Sequence, residues 1–418
     1  MSNTSSPNFI FIKNATVLTV DPLNGTLANS HILIQEDRIV AIGQALPNPS
    51  ESNVTVIDGQ GCIVTPGFVD ALSLINNGVT SVLEHCHIID SPDHADAVVE
   101  ALQDAGIRGT FYYGFYANPP LPDQLDPRGF SHDSRLSDAA RIRDKFFGQN
   151  DPAEQLLTFG VAPDEPESMP IEDTITQIKQ SRELGARIIT MHVAMGPYDL
   201  ARRQVVQNLA NRGILGPDLV FSHGSSFTES ELQAIKESGA SIVGTPDTEL
   251  QMGMGFPIVF EASDRGCRTC LDAARTTSSS SSGKRTRFPL SINRKTANIF
   301  RMGTLGGAEV MRMEDLIGSI TVGKKADLVL IRCDGIENIP VGGPVGSVVF
   351  HSSVKDIDTV IIDGEIKKRN GKLTVDWGRL KEEVILRADR IKTEAAKIDL
   401  TAARKRWMDI FHVEDISE

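Results

Sequence analysis

The sequence predicts an α/β protein: a distorted, incomplete TIM-type (β/α)8 barrel in the middle of the chain, plus a small β-sandwich domain formed by both chain ends. Three observations predict it. Short β-branched strands at hairpin spacing fill the N-terminal region and return near the other end. Between them, strand-length apolar runs alternate with helical stretches, the pattern of a parallel sheet. The length of 418 residues holds a barrel of about 250 residues and one smaller module. The expected organisation is 1–64 and 318–375 for the two parts of the sandwich, 65–317 for the barrel, and 376–418 for a closing helix and tail.

Taken in order, Phe9 to Leu18 (FIFIKNATVL) alternates like a strand and ends at the Asp21-Pro22 turn. His31 to Ile42 predicts a hairpin about Glu36-Asp37, and Val54 to Ile57 another strand. Expected barrel strands are Cys62–Asp70, Val79–His85, Gly109–Phe115, Leu157–Ala162, Ala186–His192, Asp218–His223 and Ser241–Thr245. Helices are expected between them, over Ala95–Ala105, Ile171–Leu184, Asp199–Arg212 and Thr228–Ser238. The last opens on a capping box, Thr228 with Glu231 three residues on. Towards the end, Gly318–Val322, Ala326–Ile331, Val345–Phe350, Ile357–Ile362 and Glu365–Lys368 read as strands, and Arg379–Asp399 as an amphipathic helix.

Two stretches break the pattern. Between Asp70 and Val79 lie only the eight residues ALSLINNG, fewer than the ten to twelve or so that a parallel crossover needs. Where an eighth strand is due, Ala273 to Arg287 (AARTTSSSSSGKRTR) has the composition of a disordered loop.

Bulk composition narrows the function. A net charge of −13 opposes nonspecific contact with nucleic acid or anionic membrane. The five cysteines are an odd, sparse set that suits reduced thiols, and Cys267-Arg-Thr-Cys270 has no second pair to complete a zinc site. The N-terminus lacks a signal-peptide pattern, and no apolar run approaches the roughly 18 residues of a membrane helix. These features predict a soluble, cytoplasmic protein with a small-molecule substrate and neither a nucleic-acid nor a membrane partner; homo-oligomerisation is left open.

Two histidines carry the first chemical signal. His192 ends the apolar strand RIITMH, and His223 ends LVFSH one βα unit later. In a parallel barrel the C-terminal strand ends converge on the catalytic face, and imidazole suits zinc or iron. One such histidine alone is most simply structural; two at equivalent positions point to a shared site.

Val64-Thr-Pro-Gly-Phe-Val-Asp70 resembles the run into the first barrel strand of the amidohydrolase superfamily, in the branch of cytosine deaminase, adenosylhomocysteine deaminase and triazine hydrolases. IQEDRIVAIG, GSITVGKKADLVLI, DTVIIDGE and the expected helix Lys295–Glu309 are similar to that family too. The resemblance implies one divalent metal, zinc before iron or manganese, held by a first-strand His-x-His, a fifth-strand His and an eighth-strand Asp. It implies hydrolysis of a non-peptide C–N bond by metal-activated water. By position His192 matches the fifth-strand ligand and His223 the catalytic sixth-strand histidine. Asp272 stands about where the eighth-strand aspartate belongs, as ligand and catalytic carboxylate.

The chain departs from this pattern at three points. No His-x-His follows Asp70; the strand continues Ala71-Leu-Ser. The serine run after Asp272 is unlike a family strand. The general-acid glutamate, three residues after the fifth-strand histidine, is replaced by Met195. His85-Cys86-His87 has a spacing that puts both rings on one face of a strand; its first reading is pocket lining and substrate binding, and its second is metal recruitment. Glu249, with Asp247 at the end of the seventh strand, is expected to face an amine-bearing substrate, although exposed acids are ordinary in so acidic a chain. His94, His132, His351 and His412 are expected on the surface. The missing pair predicts less than one equivalent of bound metal, and makes a catalytically impaired homologue, or a chain read from mis-joined exons, the alternative to an active hydrolase.

Overall fold

The computed structural model describes residues 7–47, 49, 53–70, 75–116, 130–196, 199, 203–271, 296–399, 401–402 and 404–405. The chain forms two compact units, Met1–Lys372 and Leu373–Glu418.

In the first unit, β1 (Phe9–Leu18), β2 (Thr26–Gln35), β3 (Arg38–Gly43), β4 (Val54–Asp58) and β5 (Cys62–Pro66) open the chain. The barrel follows as β6 (Phe68–Asp70), β7 (Val79–Cys86), β8 (Arg108–Gly114), β9 (Leu157–Ala162), β10 (Ile189–Val193), β11 (Leu219–His223), β12 (Ser241–Gly244) and β13 (Arg268–Leu271). Three later strands, β14 (Leu328–Arg332), β15 (Ile357–Ile362) and β16 (Glu365–Arg369), rejoin the N-terminal ones. Together they form a mixed sheet of order β16-β15-β14-β5-β1-β2-β3, with β4 parallel to β1. The antiparallel pairing of β14 with β5 joins the two ends of the chain.

The barrel strands run parallel in chain order from β6 to β13, and β6 approaches β13 to bring the cylinder near closure. Its interior is filled by Val69, Leu83, Tyr112, Val220, Val243 and Cys270, all buried. Each such aliphatic or aromatic side chain contributes roughly 1.5–3 kcal/mol. All five cysteines are buried and free. No helix among the described residues is long and apolar enough to cross a membrane.

Several expected elements take another form. Cys62–Asp70 is two strands, not one: it breaks at Pro66-Gly67 and passes from the mixed sheet into the barrel. Gly67 is needed there because a Cβ would lie 1.8 Å from the Thr80 Oγ1. Gly318–Val322 is irregular; the Ile320 N–H bonds to the Thr19 carbonyl at 2.7 Å, a single contact in place of a ladder. Val345–Phe350 is helical, because Pro344 starts a turn at Gly343 and its helix runs on as the π turn Ser347–His351. The expected helix from Lys295 is interrupted by the π turn Met302–Gly306, where Gly307 packs so close to Val69 that a Cβ would meet it at 2.4 Å.

β6 pairs directly with β7 in parallel, and the described part of the link is one 3-10 turn, Ile75–Asn77. The buried Lys368 Nζ donates to the Asn76 carbonyl at 2.9 Å and anchors that turn. The serine-rich segment and His412 lie outside the described residues.

Barrel and mixed sheet are joined by a buried ion pair. Arg108 on β8 donates to Asp327 Oδ2 at 2.7 Å and to Asp363 Oδ1 at 2.5 Å, and is 1 % exposed. In the second unit the helix Trp377–Ala395 is capped by the Asp376 carboxylate, which accepts from the Arg379 N–H at 3.2 Å.

Candidate metal centre at the barrel mouth

Parallel strands deliver their C-terminal ends to one rim. His85 sits near the end of β7 and His87 just beyond it, with the buried Cys86 facing the other way between them. Tyr116 follows β8, Glu165 and Glu167 follow β9, and His192 lies in β10. His223 is the last residue of β11 and adopts the left-handed region at φ 76°, a conformation a non-glycine residue holds only where its surroundings impose it.

In the sheet, β7 and β10 are separated by β8 and β9. Their histidines meet only because both project into the mouth. The His85 and His192 rings stack with centroids 4.3 Å apart; His87 lies 4.6 Å from His85 and 5.0 Å from His192. One donor nitrogen from each of the three lies within 4.8 Å of the others. His223 extends the group, 5.2 Å from His192.

Polar neighbours hold these rings. His192 Nδ1 lies 2.8 Å from Glu165 Oε1, and His85 Nε2 lies 2.7 Å from the Tyr116 hydroxyl. The hydroxyl also lies near the Glu165 carboxylate, whose Oε2 is buried without a hydrogen-bond partner among the described residues. Burial, followed by the Glu165 charge, pushes the Tyr116 pKa well up, so the phenol keeps its proton. Burial would raise the Glu165 carboxyl, but His192 outweighs it and holds the group below its ordinary value. Two polar pairs, His85 with Tyr116 and His192 with Glu165, therefore sit at the rim.

Burial lowers the His85 pKa far below that of a free imidazole, and the neighbouring His192, His87 and His223 add to it. His87 is lowered to about 4, by burial first and His192 second. Both rings are neutral at pH 7, the form that donates a lone pair to a metal. Three imidazoles converging this closely fit a divalent transition metal.

The other expected site residues divide. The His223 Nδ1 lies 2.9 Å from Thr245 Oγ1 and 3.5 Å from Glu249 Oε1. Glu249 is fully buried, correcting its reading as an exposed acid, and lies with Asp247 in a helical turn, Pro246–Gln251, rather than on a strand. The Thr245 N–H holds its Oε1 at 2.8 Å, while Oε2 has no hydrogen-bond partner among the described residues. His132 is partly buried, bonded to Gln180 and packed on Phe115, and not a surface residue. Asp272 lies outside the described residues.

Glu165, Glu167 and Tyr116 escaped sequence reasoning. The signal for the two acids was there: Asp164-Glu165-Pro166-Glu167 directly follows β9, the strand-end position that singled out the histidines. Glu167 accepts from the Ala194 N–H, and its Oε2 is buried without a partner among the described residues. Burial and the nearby Asp199 charge raise its pKa to about 8.

A parallel barrel with imidazoles gathered at its C-terminal mouth defines the class of metal-dependent barrel hydrolases. The chain belongs to the amidohydrolase family, which matches residues 70–367. It is 26% identical to the 5'-deoxyadenosine deaminase of Methanobrevibacter smithii, covering 93% of this chain and 98% of that protein. It is 23% identical to the 5-methylthioadenosine/S-adenosylhomocysteine deaminase of Thermoanaerobacter pseudethanolicus, covering 91% and 99%. Among solved structures, a triazine hydrolase from Arthrobacter aurescens superposes with a TM-score of 0.77 at 18% identity, covering 91% of this chain and 99% of that one. An adenosine deaminase from Xanthomonas campestris with bound zinc gives 0.73 at 18% identity, covering 92% and 98%. By family, the chemistry is metal-dependent hydrolysis of a non-peptide C–N bond in a small molecule.

Proposed function

We propose that this chain deaminates a small aminated heterocycle of the adenosine type, using water activated at a divalent metal, with zinc the best match to imidazole donors. The observation that carries the reading is the meeting of His192 and His223 at the mouth of the barrel. The names of the relatives supply the substrate class. When bound, the metal lowers the pKa of water from 15.7 to about 7.

The chain's own groups do the rest. His192 serves as metal ligand, oriented by Glu165. His223, steadied at Nδ1 by Thr245 and Glu249, turns its other nitrogen to the attacking water or the substrate amine. Asp272 is assigned a proton-shuttling role. Glu167 provides the proton-holding carboxyl that the family places at position 195: it accepts from the Ala194 and Met195 N–H groups and is protonated at neutral pH. The oxygen of water adds to the ring carbon, the bond to the amino nitrogen breaks, and the protons of water pass to the ring nitrogen and to departing ammonia. The product is the keto heterocycle.

The test is ammonia release from adenosine, 5'-deoxyadenosine and 5'-methylthioadenosine by zinc-supplemented protein, with His223→Ala as control. Release that His223→Ala suppresses is expected. No release from any of the three would overturn the substrate assignment.

A further inference from the structure

We infer that the metal-binding histidine pair of this barrel has moved from the first strand to the second: His85 and His87 join His192 in a three-imidazole centre that needs neither a first-strand pair nor Asp272. This rests on the metal-dependent reading above and specifies its ligands.

Strand register makes the exchange physically reasonable. Among the described residues β6 pairs with β7 from Phe68 against Val79 to Asp70 against Val82, and β7 continues to Cys86 at the rim. His85 lies in that continuation and His87 directly follows it, on the second strand and next in sheet order to the first. Period-two spacing sends both rings into the mouth while Cys86 packs outward. One donor nitrogen from each of the three rings lies within 4.8 Å of the others.

The intervening strands contribute holders in place of ligands. An ionised carboxylate only accepts, so His192 donates its Nδ1–H to Glu165 and Nε2 is the nitrogen left to face a metal. The Tyr116 hydroxyl lies 2.7 Å from His85 Nε2, which leaves Nδ1 for the metal. Hydrogen bonding to the far nitrogen is how proteins fix the tautomer and aim of a ligating imidazole. With Nδ1 engaged by Thr245 and Glu249, His223 is the histidine left for substrate and water.

Counting only the first strand leads to less than one equivalent of metal; counting the second leads to a full one. The experiment is zinc stoichiometry on full-length protein stripped with chelator, reloaded and gel-filtered, alongside the cobalt(II) visible spectrum and zinc-edge X-ray absorption. One equivalent with scattering from three imidazoles is expected. His85→Ala and His87→Ala should lose most of the bound zinc and the cobalt bands, while Asp272→Asn and His223→Ala keep both, circular dichroism confirming each fold. Wild-type absorption does not depend on any variant folding. A wild type that binds zinc but keeps it in His85→Ala and His87→Ala, or loses it in Asp272→Asn, overturns the relocated centre and leaves the hydrolase reading standing. A wild type that binds no metal overturns both.

Discussion

Glu165 is the position from which the centre can be weakened without removing a ligand. Its Oε1 lies 2.8 Å from His192 Nδ1, and its side chain is 27% exposed against 17% for the histidine. Loss of such an outer partner costs about 10–100-fold in metal affinity, or roughly 1.4–2.8 kcal/mol at 1.4 kcal/mol per tenfold. The two obvious substitutions should fall at opposite ends of that range. Glu165→Gln keeps a carbonyl oxygen that can accept the Nδ1 proton and loses only the charge, so about tenfold is expected. Glu165→Ala also strands the part-buried His192 Nδ1 donor, so the expected loss is nearer one hundredfold. Competition for zinc against a chromophoric chelator measures both. Equal affinity in wild type and Glu165→Ala, with the fold intact, would refute the claim that this carboxylate aims His192.

Two further outcomes follow from buried charges elsewhere. Arg108→Met leaves Asp327 buried beside Asp363 without its cation and should cost about 3–5 kcal/mol in urea unfolding; the double variant Arg108→Met with Asp327→Asn should recover much of that. Glu167 has a folded pKa raised from 4.5 to about 8, so its contribution to stability is fully present below pH 4.5 and is lost as pH rises through 8. Glu167→Gln in metal-free protein should therefore match the wild type near pH 4 and melt higher near pH 9, with an upper bound of about 4–5 kcal/mol at 1.36 kcal/mol per unit. Equal melting temperatures at pH 9 would show that the carboxyl is not held protonated.

The alternation of apolar strands with amphipathic helices was enough to determine the barrel, because burial on one face imposes a period that survives in a single chain. The repeated β texture at both ends likewise announced a shared sheet, and His192 and His223 were visible because rim positions can be counted from the ends of apolar runs. Other decisions belonged to tertiary contacts. Cys62–Asp70 divides at Gly67 because Thr80, thirteen residues on, leaves no room for a Cβ. Val345–Phe350 is helical despite its β-branched composition, since local preference is weak beside a proline-started turn and its packing. Glu249 could be expected at the rim facing an amine-bearing substrate, but only the fold shows it buried against His223. The meeting of His85 with His192 is the clearest case: the two are separated by two intervening strands and a hundred-odd residues, and only curvature of the sheet into a cylinder turns both rings towards one point. Sequence spacing specifies which side of a strand a ring leaves from; the closure of the barrel decides what that ring faces.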